Sequence, residues 1–254
     1  MNSIQNTLIN KTSIIWTSLL IFTLTSIPST AQTIHTIRDI LKKTTVQINT
    51  DANPGGSGVI IQKEGNTYSV LTAKHVVCEY EIRDRCSNDL NELTIRTHDS
   101  REYPIKKRQI LQTKEVQHLD LAIVTFNSPE HYEVAELGNS DKITQGSDIF
   151  VAGFNWKGHI RWFTVIDGII VNFTNFTNNS QISSLGYRLV YKAKTVLGTS
   201  GAPVFDKNGK VIGIHGLAET TEDPETNVHI KTGFSAGIPI NILYRILPHF
   251  NKTP

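Results

Sequence analysis

The sequence predicts an all-β fold, either a barrel or a sandwich of short strands. Short segments rich in β-branched and aromatic residues recur at close intervals from residue 44 onward. Turn signals separate them, at residues 53–56, 64–66 and 208–209, where Asn, Gly and Pro cluster. Many short strands with turns between them are typical of all-β domains.

The predicted elements follow one another simply along the chain. Residues 34–41 carry apolar side chains at the spacing of a short amphipathic helix. A second helix is predicted at the C-terminal end, at residues 241–247. The predicted strands between them are residues 46–48, 59–61, 68–71, 93–95, 121–124, 149–152, 161–166, 169–171, 188–191, 204–205 and 211–214.

Composition limits the class of protein. With 254 residues, 39% of them hydrophobic, the chain can bury a sizeable core. Its 17 glycines and 9 prolines are near average, which excludes a collagen-like or low-complexity chain. The formal net charge of +2 gives no basis for binding nucleic acid, and we expect no nucleic-acid partner. We expect the protein to be a monomer.

Residues 1–31 have the pattern of a secretory signal peptide. Lys11 precedes an apolar stretch at residues 14–27, and small residues follow at 28–31. This order predicts cleavage after Ala31, which leaves a mature domain of residues 32–254. The alternative is an uncleaved anchor, although the apolar stretch is shorter than the ~20 residues that span a bilayer. We expect a secreted or periplasmic protein that leaves the membrane once the signal is removed.

Cys78 and Cys86 are the two cysteines of the chain. In an exported protein, the simplest interpretation of such a pair is a disulfide. A zinc site would need a tetrahedral set of ligands, and no matching pair of histidines accompanies these cysteines. The sequence therefore predicts a Cys78–Cys86 disulfide, with no metal and no other cofactor.

A serine between two glycines lies near the C-terminal end of the chain. Gly198 and Gly201 stand on either side of Ser200 and permit backbone angles that a Cβ would forbid. Such a turn can expose the serine hydroxyl, and the N–H groups of Gly198 and Ser200 would converge as an oxyanion hole. Taken alone, the segment fits a plain turn between two strands equally well.

Two earlier segments supply the partners that a nucleophilic serine needs. His75 follows an apolar strand, and Asp120 stands at the mouth of another. A burial-prone strand seldom carries an unpaired carboxylate, so Asp120 needs a donor, and an imidazole N–H would serve. His118, two residues from Asp120, is the alternative histidine. Asp99 and Asp141 are the alternative carboxylates, although their polar loops favour solvation.

These segments resemble those of the chymotrypsin-fold, trypsin-like serine peptidases of bacteria. The matching stretches are residues 71–75, 120–122 and 198–203. The Gly-rich stretch at residues 55–61 resembles the strand before the catalytic histidine of that family, which gives Ser57 a structural role. Because all of these stretches occur in the family's order, coincidence is a poor explanation.

The resemblance implies a fold of two six-stranded antiparallel barrels, at residues 44–130 and 140–240, with a short C-terminal helix. His75 and Asp120 would come from the first barrel and Ser200 from the second, with this triad in the cleft between them. It also implies hydrolysis of peptide bonds in protein or peptide substrates through an acyl-enzyme, with no cofactor.

Three further residues resemble the specificity pocket of the bacterial glutamyl endopeptidases. His215 matches a histidine that contacts the substrate carboxylate there, and Thr195 matches a polar pocket residue. Lys194 stands where trypsin carries an aspartate, so a preference for Arg or Lys is not supported. The hypothesis is a pocket that favours Glu on the acyl side of the scissile bond, with His215 and Thr195 as donors and Lys194 as a nearby charge. The alternative for His215 is a strand-edge histidine bonded to the backbone.

Other functions stay open at this level. The chain also suits a catalytically inactive protease homologue that binds a partner through the same cleft. Quality-control proteases of the HtrA kind usually carry a PDZ domain after the peptidase, whereas 14 residues follow Ile240 here. Thr199 stands where zymogen-type enzymes carry an aspartate before the serine, so we do not expect activation through a newly released N-terminus.

Overall fold

The computed structural model describes residues 30–50, 55–78, 86, 89–116, 118–157, 160–171, 184–222 and 229–251. Within these ranges the protein is mostly β-strand, with a few short helices. The predicted all-β class, with barrel architecture and a short C-terminal helix, is confirmed. Residues 1–29 of the predicted signal peptide lie outside the described residues.

Seven antiparallel strands make up the first half of the described chain: β1 (Thr45–Asn49), β2 (Gly56–Glu64), β3 (Thr67–Thr72), β4 (Thr94–Arg96), β5 (Glu102–Pro104), β6 (Lys107–Ile110) and β7 (Ala122–Asn127). They form one sheet in the order β5-β4-β1-β2-β3-β7-β6. The register pairs Thr72, the last residue of β3, with Ala122, the first residue of β7. The residues after β3 and those before β7 are therefore neighbours at one end of the sheet.

Six strands make up the second half: β8 (Asp148–Lys157), β9 (Ile160–Ile170), β10 (Leu189–Lys192), β11 (Pro203–Asp206), β12 (Val211–Glu222) and β13 (His229–Pro239). They close into a barrel in the order β10-β13-β12-β11-β8-β9. Closure leaves no free sheet edge among these strands. Residues 193–202, which connect β10 to β11, carry Ser200.

The α-helices with described bounds are α1 (Thr30–Thr44), α2 (Lys74–Val77) and α3 (Asn241–Ile246), and short 3-10 helices lie at Ser140–Lys142 and Pro248–Asn251. The predicted N-terminal helix is thus present and extends beyond both of its expected ends. Leu41 of α1 is fully buried, and its Cδ1 lies 3.7 Å from the position that a Cβ on Gly209 would take. This contact packs α1 against the turn between β11 and β12.

The two halves share a hydrophobic core. On β2, Val59 and Ile61 point into a core that also contains Phe205 and Ile214 of the barrel. Ile60, between them, points into the separate core of the first sheet. Because successive side chains of a strand point to opposite faces, β2 can supply both cores and pack the two halves directly against each other.

Two strands of the first sheet, β5 and β6, were not predicted. Both lie at the edges of the sheet, and their side chains alternate between exposed and half-buried positions. Edge strands commonly carry charged residues that discourage pairing with other chains. The first two residues of β6, Lys107 and Arg108, are both charged, so the sequence shows no alternation of apolar and polar residues there.

Candidate active site

His75 lies on α2, a single helical turn that directly follows β3. Its Nδ1 is 2.6 Å from Oδ2 of Asp120, and its backbone N–H donates to Oδ1 of the same carboxylate at 2.8 Å. The His75 side chain is 26% exposed, so part of the ring is open to the solvent side. The sequence expectation that His75 partners Asp120 therefore agrees with the geometry.

The Asp120 carboxylate is held in a buried setting just before β7. Its side chain is 8% exposed, and Oδ2 accepts a hydrogen bond from the Tyr187 hydroxyl in addition to the one from His75. Burial by itself would raise the pKa of Asp120. The charge of the His75 ring and the hydrogen bonds from His75 and Tyr187 outweigh burial and hold that pKa below its ordinary value. The site therefore favours an ionised carboxylate.

The turn around Ser200 is built from two residues with left-handed backbone. Gly198 has φ of 93° and Gly201 has φ of 78°, a region in which a Cβ is strained. The carbonyl of Ser200 accepts the Ser57 N–H at 2.8 Å, and the Gly201 N–H donates to the His215 carbonyl at 2.8 Å. One bond reaches β2 of the first sheet and the other reaches β12 of the barrel.

The serine turn lies against the segment that carries the histidine. A Cβ on Gly201 would come within 2.2 Å of the Thr72 hydroxyl and 3.1 Å of the Ala73 nitrogen. A Cβ on Gly56 would meet both the Ser200 carbonyl oxygen and a Val76 methyl at 2.7 Å. The glycines therefore permit backbone contact between the serine turn and the residues on either side of His75.

Hydrogen bonds also orient the peptide groups beside the serine. The Leu197 carbonyl accepts the Trp156 N–H at 2.9 Å, and because the peptide is planar and trans, the Gly198 N–H points the opposite way, away from β8. The Gly198 carbonyl accepts the Ser57 hydroxyl at 2.9 Å. Thr199 is buried, and its hydroxyl donates to the Val196 carbonyl at 2.6 Å. These bonds hold the peptide groups on both sides of Gly198 in fixed orientations.

Two of the three predicted specificity residues line one cavity. Lys194 is exposed and Thr195 is buried, and both line a cavity of 610 Å³ that also includes Lys192 and Asp167. The Thr195 Oγ1 is 2.9 Å from the hydroxyl of Ser235, another lining residue. The Asp167 carboxylate forms an exposed ion pair with Arg38 of α1, at 3.3 Å.

His215, the third predicted specificity residue, lies inside the barrel. It is 3% exposed, and its Nδ1 is 2.7 Å from the Tyr191 hydroxyl. It is not among the residues that line the 610 Å³ cavity. Burial raises the pKa of Tyr191 well above its ordinary value, so the phenol keeps its proton and can donate to His215.

Two of the alternative residues make hydrogen bonds away from the His75 ring. The backbone N–H of His118 donates to the Ser184 carbonyl. Asp99 accepts hydrogen bonds from Thr97 and Tyr132. In the part of the chain that the structure describes, the carboxylate bonded to the His75 ring is that of Asp120.

The predicted Cys78–Cys86 disulfide is present, with the two Cα atoms 4.6 Å apart. It begins directly after α2, the turn that carries His75. Among the residues with described structure, no group of three or more His, Cys, Asp or Glu side chains is arranged to hold a metal ion. The same residues include no helix that is long and apolar enough to span a membrane.

Sequence reasoning did not identify Tyr187 as part of the site. It lies outside the matching motifs, one residue before the predicted strand at residues 188–191. The available signal was indirect: a buried carboxylate accepts several hydrogen bonds, so a second donor beside the imidazole was to be expected.

Comparison with known proteins defines the class. Residues 56–214 match the trypsin-like peptidase domain family, and the chain belongs to that family. It is also similar to the serine protease Do-like HtrA of Bacillus subtilis (strain 168), with 24% identity over 188 residues. That match covers 73% of this chain but 37% of the relative, so the chain spans well under two thirds of the relative's length. The predicted trypsin-like class is confirmed, whereas a place near the glutamyl endopeptidases stays a prediction.

Proposed function

We propose that the protein is a serine endopeptidase that cleaves peptide bonds with Ser200 as nucleophile, His75 as base and Asp120 as the orienting carboxylate. The observation that carries the proposal is the 2.6 Å contact between His75 Nδ1 and Asp120 Oδ2, beside a glycine-flanked serine turn. Membership of the trypsin-like peptidase domain family supports the same reaction class.

The proposed mechanism depends on which ring nitrogen carries a proton. The bond to Asp120 holds the proton of His75 on Nδ1, which leaves Nε2 to accept the proton of the Ser200 hydroxyl as Oγ attacks the carbonyl. The imidazolium then delivers this proton to the leaving amine, and an acyl-enzyme remains on Ser200. In the deacylation step, His75 takes a proton from water as the water oxygen attacks the acyl-enzyme ester, and the proton then passes to the serine oxygen as it leaves.

The negative charge of the tetrahedral intermediate also needs donors. In the proposal, the N–H groups of Gly198 and Ser200 supply them, each worth about 3–4 kcal/mol of barrier. The bond between the Leu197 carbonyl and the Trp156 N–H supports this role, because it keeps the Gly198 N–H turned away from β8.

We further propose a preference for Glu on the acyl side of the scissile bond. The lysines Lys192 and Lys194 line the cavity next to Thr195, while the one carboxylate among its lining residues, Asp167, is paired with Arg38. A substrate carboxylate would gain charge-assisted hydrogen bonds in such surroundings.

Export is part of the same proposal, and the Cys78–Cys86 disulfide is compatible with an oxidising compartment outside the cytosol.

Digestion of a peptide library tests the nucleophile. The full chain, its Ser200→Ala variant and a matched Ser128→Ala control are compared, and new peptide termini are identified by mass spectrometry. Ser128 is buried like Ser57, and its hydroxyl accepts the Glu130 N–H at 3.0 Å within a turn. Cuts made by the unmodified chain and by the control, but not by Ser200→Ala, are expected. Identical patterns from all three chains would instead favour the inactive, partner-binding homologue.

The residue before each cut tests the preference for Glu. For paired peptides that differ by Glu or Gln at this position, we expect a higher kcat/KM with Glu, and a smaller ratio in Lys194→Gln. His215 does not line the cavity, so His215→Asn should leave the ratio unchanged, and a smaller ratio in that variant would bring His215 back into the pocket. Cuts that show no enrichment of Glu contradict the preference itself, whatever the variants do.

A further inference from the structure

A tyrosine from the second half of the chain reaches the buried carboxylate of the first half. The Tyr187 hydroxyl donates to Oδ2 of Asp120, the same oxygen that bonds His75 Nδ1. Tyr187 is 2% exposed and Asp120 is 6% exposed, so water has little access to this bond. We propose that Tyr187 is a positioning residue for catalysis, which holds the Asp120 carboxylate in the orientation that His75 requires. The inference rests on the proposed role of this pair.

The main chain brings the tyrosine to the carboxylate. The Asp120 N–H donates to the Leu185 carbonyl at 3.0 Å, and the His118 N–H donates to the Ser184 carbonyl at 2.9 Å. These two bonds join the segment before β10 to the segment before β7. The tyrosine is therefore delivered by a backbone contact between the two halves, and its hydroxyl extends that contact to the catalytic pair.

Two glycines make room for this arrangement. Gly186, next to Tyr187, has φ of 89°, and a Cβ on it would lie 2.7 Å from the Leu119 side chain. A Cβ on Gly216 of β12 would lie 2.2 Å from the Tyr187 hydroxyl oxygen. A Cβ on Gly216 would therefore displace the Tyr187 hydroxyl, whereas a Cβ on Gly186 would strain the backbone directly before the tyrosine.

The bond has two chemical consequences. Asp120 accepts three donors: the His75 backbone N–H on Oδ1, and both the His75 ring and Tyr187 on Oδ2. With Tyr187 in place, the carboxylate cannot rotate without breaking a buried bond. A donor to the ionised form also lowers the affinity of the carboxylate for a proton. During the reaction the proton therefore stays on His75. Asp120 remains an anion and stabilises the imidazolium.

The test removes the hydroxyl and leaves the ring. Tyr187→Phe is compared with Tyr244→Phe, a control whose hydroxyl donates to the Gly138 carbonyl at 2.7 Å, outside the site. We expect kcat to fall about tenfold in Tyr187→Phe, with KM within about twofold of the unmodified chain. The ¹³C resonance of the Asp120 carboxyl, assigned with Asp120→Asn, should titrate at higher pH in Tyr187→Phe than in the unmodified chain, and not in Tyr244→Phe.

Gly216→Ala provides a second route, because its Cβ would push the intact tyrosine away from Asp120. It should shift the Asp120 titration in the same direction as Tyr187→Phe. Unchanged titration and unchanged kcat in Tyr187→Phe would overturn the positioning role, as would equal losses of kcat in Tyr187→Phe and in the Tyr244→Phe control. If the unmodified chain shows no Ser200-dependent cleavage, the proposed function fails, and the titration still decides whether Tyr187 sets the state of Asp120.

Discussion

Replacing Ser57 with alanine should weaken both the fold and the serine turn. Ser57 is fully buried on β2, where its hydroxyl donates to the Gly198 carbonyl at 2.9 Å and accepts the Phe154 N–H at 2.8 Å. Its backbone N–H also donates to the Ser200 carbonyl. Alanine would keep the backbone bond but leave the Gly198 carbonyl and the Phe154 N–H without their partner.

The expected cost follows from these two bonds. Each of the two groups that loses this partner costs about 1–3 kcal/mol, so Ser57→Ala should cost about 2–6 kcal/mol in the free energy of unfolding. A loss of about 3 kcal/mol lowers the melting temperature of a domain of this size by about 6–12 °C. Because the Gly198 peptide loses an anchor, kcat should also fall by about tenfold, less than the 10²–10³ for loss of a whole oxyanion donor.

Thermal unfolding followed by circular dichroism measures the first effect, and initial rates on a cleaved peptide measure the second. Ser128→Ala is the matched control, since it removes one turn bond from a buried serine far from Ser200 in the sequence. A melting temperature within about 2 °C of the unmodified chain would refute the assignment of Ser57 as the link between the first sheet and the serine turn.

Three further substitutions have expected outcomes. Gly201→Ala should abolish folding or activity, because its Cβ would lie 2.2 Å from a backbone carbonyl at a φ of 78°, whereas Gly65→Ala, with open space around it, should yield soluble, active protein. The pKa of Asp120 is held below the ordinary 3.8, so the ionised carboxylate stabilises the fold above that pH, and this contribution is lost as pH falls through the folded-state pKa. Acid unfolding of Asp120→Asn should therefore depend less steeply on pH than that of the unmodified chain. Superimposable unfolding curves for the two chains would contradict this. Removal of the disulfide by Cys78→Ser with Cys86→Ser should cost about 2–3 kcal/mol in urea unfolding, a loss that reducing the unmodified chain should reproduce.

Local pattern was sufficient for the class of fold and for the motifs of the site. Alternating apolar residues and turn signals predict the strands, because a strand with a buried face repeats every two residues. The glycines beside Ser200 predict a strained turn, and both have the left-handed backbone expected of them. That Asp120 needs a donor also follows from the sequence, since a buried carboxylate is seldom unpaired. The family resemblance implied that His75 is this donor, and the structure pairs the two residues.

Only the tertiary structure decided which residues complete the site from a distance. Tyr187 reaches Asp120 because two backbone bonds join the halves of the chain, and no local pattern records such a contact. His215 and Thr195 illustrate the same limit: both were predicted for one pocket, but Thr195 lines the cavity and His215 is bonded to Tyr191 inside the barrel. The sequence by itself determined which side chains can carry the chemistry, because reactivity and local geometry depend on residue type and near neighbours. Which of them meet depends on strand register and on how the two halves pack, and these arise from contacts between residues far apart in the chain.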